Sequence, residues 1–517
     1  MSKVNILWAD DEIDLLKPHL FFLEKKGFSV TTVTNGHDAV EEYQKNDNYE
    51  VVFLDESMPG MSGLETLTEI KAINPHQSVV MITKNEAENL MEEAIGSQID
   101  DYLIKPVNPN QILLSLKKII DNHRLVSEKT LQDYQVQFRQ ISMDISSGLD
   151  FDGWAEMYQR LIQWELKLDA SSTEQMEQII SMQKSEANIE YSKFVIKNYK
   201  SWLENGDGPI MSHEVMKEMV FPNMDDDRPT IVLLLDNLRF DQWKVIEPIL
   251  LRSFKMIRET YFSSILPTST QYSRNAIFSG LTPLDIEEYY PEWWLNDMDE
   301  GGKNNFEGEL VSEQIRRLIR KEIKHEYVKV TTVAQAKVLQ DNILNYLNND
   351  LTFIVYNFID MLSHARTEME VLKELAGDEK AYRSLTRSWF NNSPLWIALQ
   401  KIADREVQLF ILTDHGTIRV HTPSKVVGDK DTTTNLRYKM GRNLKFNPKD
   451  VLEIKKPEEV GLPSPNISSS YIFAKEDRYF LYPNNYNYYL NYFRNTFQHG
   501  GISMEEMICP FVELSSR

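Results

Sequence analysis

Val51-Val52-Phe53-Leu54-Asp55 is a short apolar run that stops at a carboxylate. Within the first 122 residues three more such runs stop at a polar residue. Val4–Ala9 precedes Asp10-Asp11-Glu12, Val79–Thr83 ends in Thr83, and Tyr102–Ile104 precedes Lys105-Pro106. Short apolar runs separated by amphipathic segments predict a parallel sheet covered by helices, an α/β fold. The polar residues then gather at the C-terminal sheet edge, where open α/β sheets build their sites.

The pattern changes twice further along. From Asn110 to Gly208 there is no proline, and glycine occurs only at 148, 153, 206 and 208. This stretch, with Trp154, Trp164 and Trp202, predicts an all-α connector with a break at Asp150–Gly153. It is a spacer, or a dimerisation or relay module. Around Asn205–Pro209 the composition shifts, and a second strand/helix alternation begins at Pro229–Asp236. Leu351–Asp360 and Glu406–Asp414 are further strand candidates, each ending in aspartate. Residues 421–450 are rich in Lys, Arg, Thr and Asn and are expected to form a mobile loop. Its Lys425, Lys430, Arg437, Lys439, Arg442 and Lys445 could make a basic rim over a site. The expected domains are 1–122, 123–208 and 209–517.

Composition narrows the function. The chain has 517 residues, 42% of them hydrophobic, and a formal charge of −22. Such acidity disfavours binding to duplex DNA, although short anionic substrates remain open. A single cysteine excludes an intrachain disulfide framework and fits a reducing compartment. No secretory leader and no apolar run of membrane-spanning length is evident, so a cytoplasmic protein without a membrane span is expected.

Asp10, Asp11 and Asp55 should meet at the first sheet's edge. Three carboxylates repel one another unless a divalent cation lies among them, and hard oxygen ligands suit Mg²⁺. One carboxylate can then accept a phosphoryl group. Lys105 can pair with the new oxygens, Thr83 can turn its hydroxyl toward them, and Tyr102 can follow. WADDE (8–12), LDESMPGMSGLE (54–65), MITK (81–84) and DDYLIKP (100–106) resemble a response-regulator receiver domain. The resemblance implies Asp55 as phosphoacceptor, Asp10 and Asp11 as the acidic metal pair, and Thr83, Tyr102 and Lys105 as switch residues. Trp8 and Glu56 depart from the common pattern.

The second alternation offers Asp236, Asp360 and Asp414, with His364, His415 and His499 nearby in the chain. Imidazole together with carboxylate favours Zn²⁺ over Mg²⁺, and six such ligands suit two ions sharing a site. Leu266–Arg274 brings three hydroxyls, Thr268, Ser269 and Thr270, to the start of a helical stretch. A helix N-terminus favours negative charge, and a metal lowers a hydroxyl pKa, so one of them is a candidate nucleophile. Arg274 is a candidate substrate contact. LLLDNLRFDQW (233–243), PTSTQYSR (267–274), NFIDMLSHAR (357–366), LTDHG (412–416) and FQHGGISMEEMICP (497–510) resemble the PglZ group of the alkaline phosphatase superfamily. That resemblance implies one zinc at Asp236, Thr270, Asp414 and His415, and another at Asp360, His364 and His499. It also implies Thr270 as the nucleophile of a zinc-dependent phosphodiesterase or phosphatase, acting on small linear or cyclic oligonucleotides.

The order receiver, helical connector, PglZ domain is similar to that of response regulators of type IX secretion. It implies a sensor histidine kinase upstream, and an extracytoplasmic-function sigma factor and the cytoplasmic part of the secretion motor as partners. A phosphorylation-linked homodimer is expected. The competing reading is a phosphorylation-gated protein-binding module whose zinc domain is catalytically weak.

Overall fold

The computed structural model describes residues 4–46, 48–74, 77–84, 99–169, 174–368, 377–466 and 468–516, with the side chains of 121–131, 174–175 and 364–368 outside that description. The chain forms two compact units, Met1–Gln137 with Lys167–Glu174, and Phe138–Leu166 with Gln175–Arg517.

The first unit holds a five-stranded sheet of β1 (Val4–Ala9), β2 (Phe28–Val33), β3 (Val51–Asp55), β4 (Ser78–Thr83) and β5 (Asp101–Ile104). Its order is β2-β1-β3-β4-β5, and every pair is parallel. The order reverses between β1 and β3, so a crevice opens at their C-terminal ends. β3 is buried throughout, as a strand covered on both faces must be. Trp8 is fully buried, and its ring lies 5.4 Å from that of Phe53. The helix Gly63–Ile73 starts with a capping box in which Ser62 and Glu65 satisfy each other's backbone N–H. β2 was not foreseen from the sequence: Phe-Ser-Val-Thr-Thr-Val at a sheet edge alternates in burial and carries no continuous apolar run. The helix Pro109–Ile145 runs straight through the boundary expected at residue 122. Its Ile112, Leu116 and Ile119 belong to the same core as Trp8.

The second unit is built on a six-stranded sheet. β6 (Thr230–Leu235), β8 (His325–Val330), β9 (Leu351–Tyr356) and β10 (Gln408–Leu412) run parallel in the order β10-β6-β9-β8. The C-terminal strand Ile508–Ser516 pairs antiparallel with β10 and with β7 (Phe254–Ser263). β6, β9 and β10 are buried end to end. β9 stops at Tyr356, and Asp360 sits in the first turn of the helix Phe358–Glu368, not at a strand end as the sequence led us to expect.

The connector helices Phe151–Asp169 and Glu174–Asn205 contribute to this second core. Trp154 meets Tyr191 edge-on at 5.7 Å, and Tyr158 packs on Phe240 at 5.9 Å. Lys184 pairs with Glu165 at 2.9 Å and with Glu379 at 2.8 Å. These helices are therefore integral to the effector unit, which excludes a free spacer. Residues 421–450 likewise differ from the expected mobile loop. They contain the strands Thr422–Lys425 and Tyr438–Gly441, and Val426 belongs to a core with Ile472 and Phe480. Among the described residues no helix is long and apolar enough to cross a membrane.

Candidate functional site

The crevice of the first sheet collects carboxylates. Asp10 follows β1 and Asp55 ends β3. Each of Asp10, Asp11 and Asp55 offers a ligand oxygen, and these lie within 4.8 Å of one another. Asp10 and Asp55 are buried, whereas Asp11 is exposed. Lys105, following β5, places Nζ 3.0 Å from an oxygen of each buried aspartate. Burial pushes the Asp55 carboxyl up to about 6, against the downward pull of Lys105 and with the repulsion of Asp10. Asp55 Oδ1 is buried and receives no hydrogen bond. An all-oxygen set with an unserved carboxylate oxygen fits a hard divalent cation such as Mg²⁺. Thr83 ends β4 beside β5, whose Tyr102 is half-buried opposite Met81.

The second site forms where β6 and β10 end. Asp236 follows β6, and Asp414-His415 follows β10. Ligand atoms of these three buried residues lie within 4.8 Å of one another. Thr270 is the first residue of the helix Thr270–Ser279. Its Oγ1 lies 3.1 Å from His415 Nε2 and 3.5 Å from Asp236 Oδ1. The hydroxyl therefore sits at the positive end of a helix dipole, among ligand-type atoms. His415 Nδ1 donates to Gly416 O at 3.1 Å, which leaves Nε2 as the lone-pair nitrogen facing Thr270. Burial lowers the His415 pKa, so the ring is neutral. Burial and then the charge of Asp236 hold Asp414 well above the usual carboxylate range. Asp414 Oδ2 is buried with no hydrogen-bond donor. Two aspartates, one neutral imidazole and a hydroxyl form a donor set that fits zinc.

The other expected ligands border this cluster. The His499 ring stacks on His415 with centroids 4.3 Å apart, and its Nδ1 donates to Thr268 O at 3.1 Å. Asp360 Oδ1 accepts from Asn237 Nδ2 at 3.4 Å. The side chain of His364 lies outside the described residues. Of the rival hydroxyls, Thr268 is fully buried; it donates to Gly501 O at 2.9 Å and accepts from Gly500 N at 3.0 Å. Ser269 is the N-cap of the helix that Thr270 begins.

Arg274 is the residue expected to contact substrate. It is buried, donating to Asp236 Oδ2 at 2.6 Å and to Glu307. It thereby fixes the position of the Asp236 carboxylate. Arg437, expected on a basic rim, is instead fully buried and ion-paired with Glu506 at 2.5 Å. Glu506 in turn accepts from Gly501 N at 2.8 Å, so the pair braces the turn that follows His499. The sequence carried no signal for Glu307 or Glu506 as partners of these arginines. Asn237 was missed as well, though it directly follows Asp236. With φ at +65°, it donates its backbone N–H to Asp414 Oδ1 at 3.2 Å and its amide to Asp360.

Three family descriptions match the chain. "BREX system PglZ alkaline phosphatase-like domain" covers residues 215–514, "PorX response regulator linker domain" covers 124–203, and "Response regulator receiver domain" covers 6–117. Among curated relatives, a "Transcriptional regulatory protein CpxR homolog" of Haemophilus influenzae is 31% identical over 29% of this chain and 63% of its own. "Transcriptional regulatory protein SrrA" of Staphylococcus aureus is 25% identical over 27% and 58%. The matched region thus spans less than two thirds of either relative. A crystal structure of a response regulator receiver domain protein from Clostridium thermocellum, 30% identical, covers 24% of this chain and 98% of its own with a TM-score of 0.23.

Proposed function

This chain belongs to the PglZ alkaline phosphatase-like family and carries a response-regulator receiver domain ahead of a PorX-type linker; from that premise we propose that it is a phosphorylation-controlled phosphodiesterase. The observation that carries the reading is Thr270, whose hydroxyl stands at a helix N-terminus 3.1 Å from His415 Nε2. When bound, zinc ions held by Asp236, Thr270, Asp414 and His415 and by Asp360, His364 and His499 would supply Lewis-acid charge neutralisation and a lowered hydroxyl pKa, as Mg²⁺ at Asp10, Asp11 and Asp55 would neutralise the receiver's carboxylates. Thr270 Oγ attacks phosphorus, one ester P–O bond breaks, and the alcohol departs with a proton. Water then hydrolyses the phosphothreonine. Arg274 keeps Asp236 in place throughout, and Asn237 aligns Asp360 with Asp414. The substrates are phosphodiesters, small linear or cyclic oligonucleotides among them.

The receiver supplies control. A histidine kinase phosphorylates Asp55, Lys105 shifts its pairing to the phosphoryl oxygens, and Thr83 and Tyr102 repack, changing self-association to a homodimer. On the resemblance of its domain order to response regulators of type IX secretion, the proposed role is in that system, with a sigma factor and the cytoplasmic part of the secretion motor as partners.

The test is hydrolysis of bis(4-nitrophenyl) phosphate by the purified chain. We expect turnover that a chelator abolishes and that Thr270→Val lowers by at least about 10³-fold. A metal-replete wild type without turnover overturns the enzyme and leaves a protein-binding module.

A further inference from the structure

Two segments leave the second site and pair with each other. Ile418–Arg419, just beyond His415, runs antiparallel to Phe497–Gln498, just before His499. The pairing continues as Val420 N–H donates to Thr496 O and Asn495 N–H to Val420 O. A few residues on, Thr422–Lys425 runs parallel to Arg478–Leu481. The chain contains 78 Asp and Glu residues, yet none falls within 415–428 and none within 478–504. Two acid-free stretches of chain therefore lead away from the metal-type cluster of an acidic protein. Acids that touch these stretches are engaged: Asp477 accepts from Thr422 Oγ1 at 3.1 Å, Asp450 accepts from Ser424 Oγ at 2.8 Å and pairs with Arg478 at 3.2 Å, and Asp429 beyond them faces Arg442 at 3.8 Å.

The second stretch carries the helix Tyr486–Phe493, Tyr-Asn-Tyr-Tyr-Leu-Asn-Tyr-Phe. Tyr486, Leu490 and Phe493 face down onto the core of Ile418, Val420, Tyr479 and Leu481. Tyr488 and Tyr489 are presented outward, with Tyr492 half-buried beside them. Tyr488 is 64% and Tyr489 40% exposed. Tyr488 and Tyr492 lie nearly parallel, with centroids 6.0 Å apart at 14°, and Tyr489 stacks likewise on Phe493 at 5.9 Å. Asn487 and Asn491 are exposed between them. Lys425 Nζ sits 4.6 Å over the Tyr486 ring, and exposed Arg494 caps the helix.

Exposed aromatic faces flanked by cations are the surface that single-stranded nucleic acid uses, with bases on the rings and phosphates on the charges. We propose that the helix Tyr486–Phe493, with Lys425 and Arg494, is a stacking platform for the bases of a single-stranded oligonucleotide. This rests on the phosphodiesterase reading and gives its oligonucleotide substrate a binding subsite. His499 follows Tyr492 by seven positions, so the two are at most about 25 Å apart, within reach of a strand of several nucleotides. The acids that border these stretches are paired with Thr422, Ser424 and Arg478, which blunts the repulsion they would exert on phosphates.

The test is fluorescence anisotropy with a labelled single-stranded RNA of about eight nucleotides and an abasic strand of equal length. Both use full-length Thr270→Val protein, so that the strand stays intact. Removing both outer rings with Tyr488→Ala and Tyr492→Ala should weaken RNA binding at least about tenfold, the effect of one or two lost base stacks. Tyr488→Phe should bind as the parent does. The abasic strand should bind weakly and ignore all three changes. RNA affinity indifferent to the alanine changes, or abasic and base-bearing strands bound equally, overturns the platform. Turnover of bis(4-nitrophenyl) phosphate by chains with Thr270 intact reports on the other reading separately. Ring-dependent RNA binding without such turnover sinks the phosphodiesterase and keeps the platform; turnover with ring-independent binding does the reverse.

Discussion

The two acidic clusters of this chain solve one electrostatic problem in different ways. In the receiver, buried Asp10 and Asp55 share Lys105, whose side chain remains 14% exposed at the crevice mouth. In the effector, Asp236 is held by Arg274, whose side chain is only 2% exposed and which also binds Glu307. A cation at the mouth can let go when a phosphoryl group or a metal arrives. A guanidinium locked between two carboxylates below the site cannot, and so it fixes geometry. Reversible charge is the property of a switch, and fixed charge that of a catalyst.

Substitutions can break or sharpen this contrast. The largest effect is expected at Arg274→Met, which strands Asp236 without its cation and leaves Glu307 only Lys329. It should cost about 3–5 kcal/mol of effector stability, read by urea denaturation; a near-neutral result would show that Arg274 is not the fixed charge we describe. Next comes Lys439, a buried cation that meets no carboxylate among the described residues: Nζ donates to Thr433 O at 2.8 Å and lies 4.7 Å over Tyr482. Burial brings its pKa down to about 7. The folded chain therefore binds this proton more weakly than the unfolded chain. The penalty is full below pH 7 and disappears as pH rises toward the ordinary lysine value. Lys439→Met should accordingly stabilise the effector by on the order of 2–3 kcal/mol at pH 6. That gain should shrink at pH 9, and a pH-independent gain would refute the burial argument. The smallest change is expected at Lys105→Met. Because water reaches that pair, and Asp55 can take up a proton, the loss should be about 1 kcal/mol and recoverable with Mg²⁺. A loss as large as that of Arg274→Met would erase the distinction between the clusters.

Much of both clusters was legible in the chain. Asp10, Asp55, Asp236 and Asp414 each follow or end a short apolar run, and a parallel sheet sends all such ends to one edge. Thr270 was singled out among three hydroxyls, and it is the one beside His415 and Asp236. Other readings missed for identifiable reasons. Asp360 was placed at a strand end because Phe358 and Ile359 prolong the apolar run; the backbone leaves the strand at Tyr356 and turns helical. Residues 421–450 seemed a solvated basic loop because charge in a sequence reads as exposure. Arg437 escapes that rule through Glu506, a partner far along the chain.

Alternation of apolar runs with amphipathic segments, and the polar residue closing each run, settled the α/β class and the composition of both clusters, because strand burial and sheet direction are local consequences of side-chain pattern. Which arginine locks which carboxylate, which lysine is buried without a carboxylate beside it, and which tyrosines of the helix Tyr486–Phe493 face water were decided only by tertiary packing. Each depends on residues tens to hundreds of positions apart meeting in a low-dielectric interior, where a charge is stable only beside a partner that local sequence does not name.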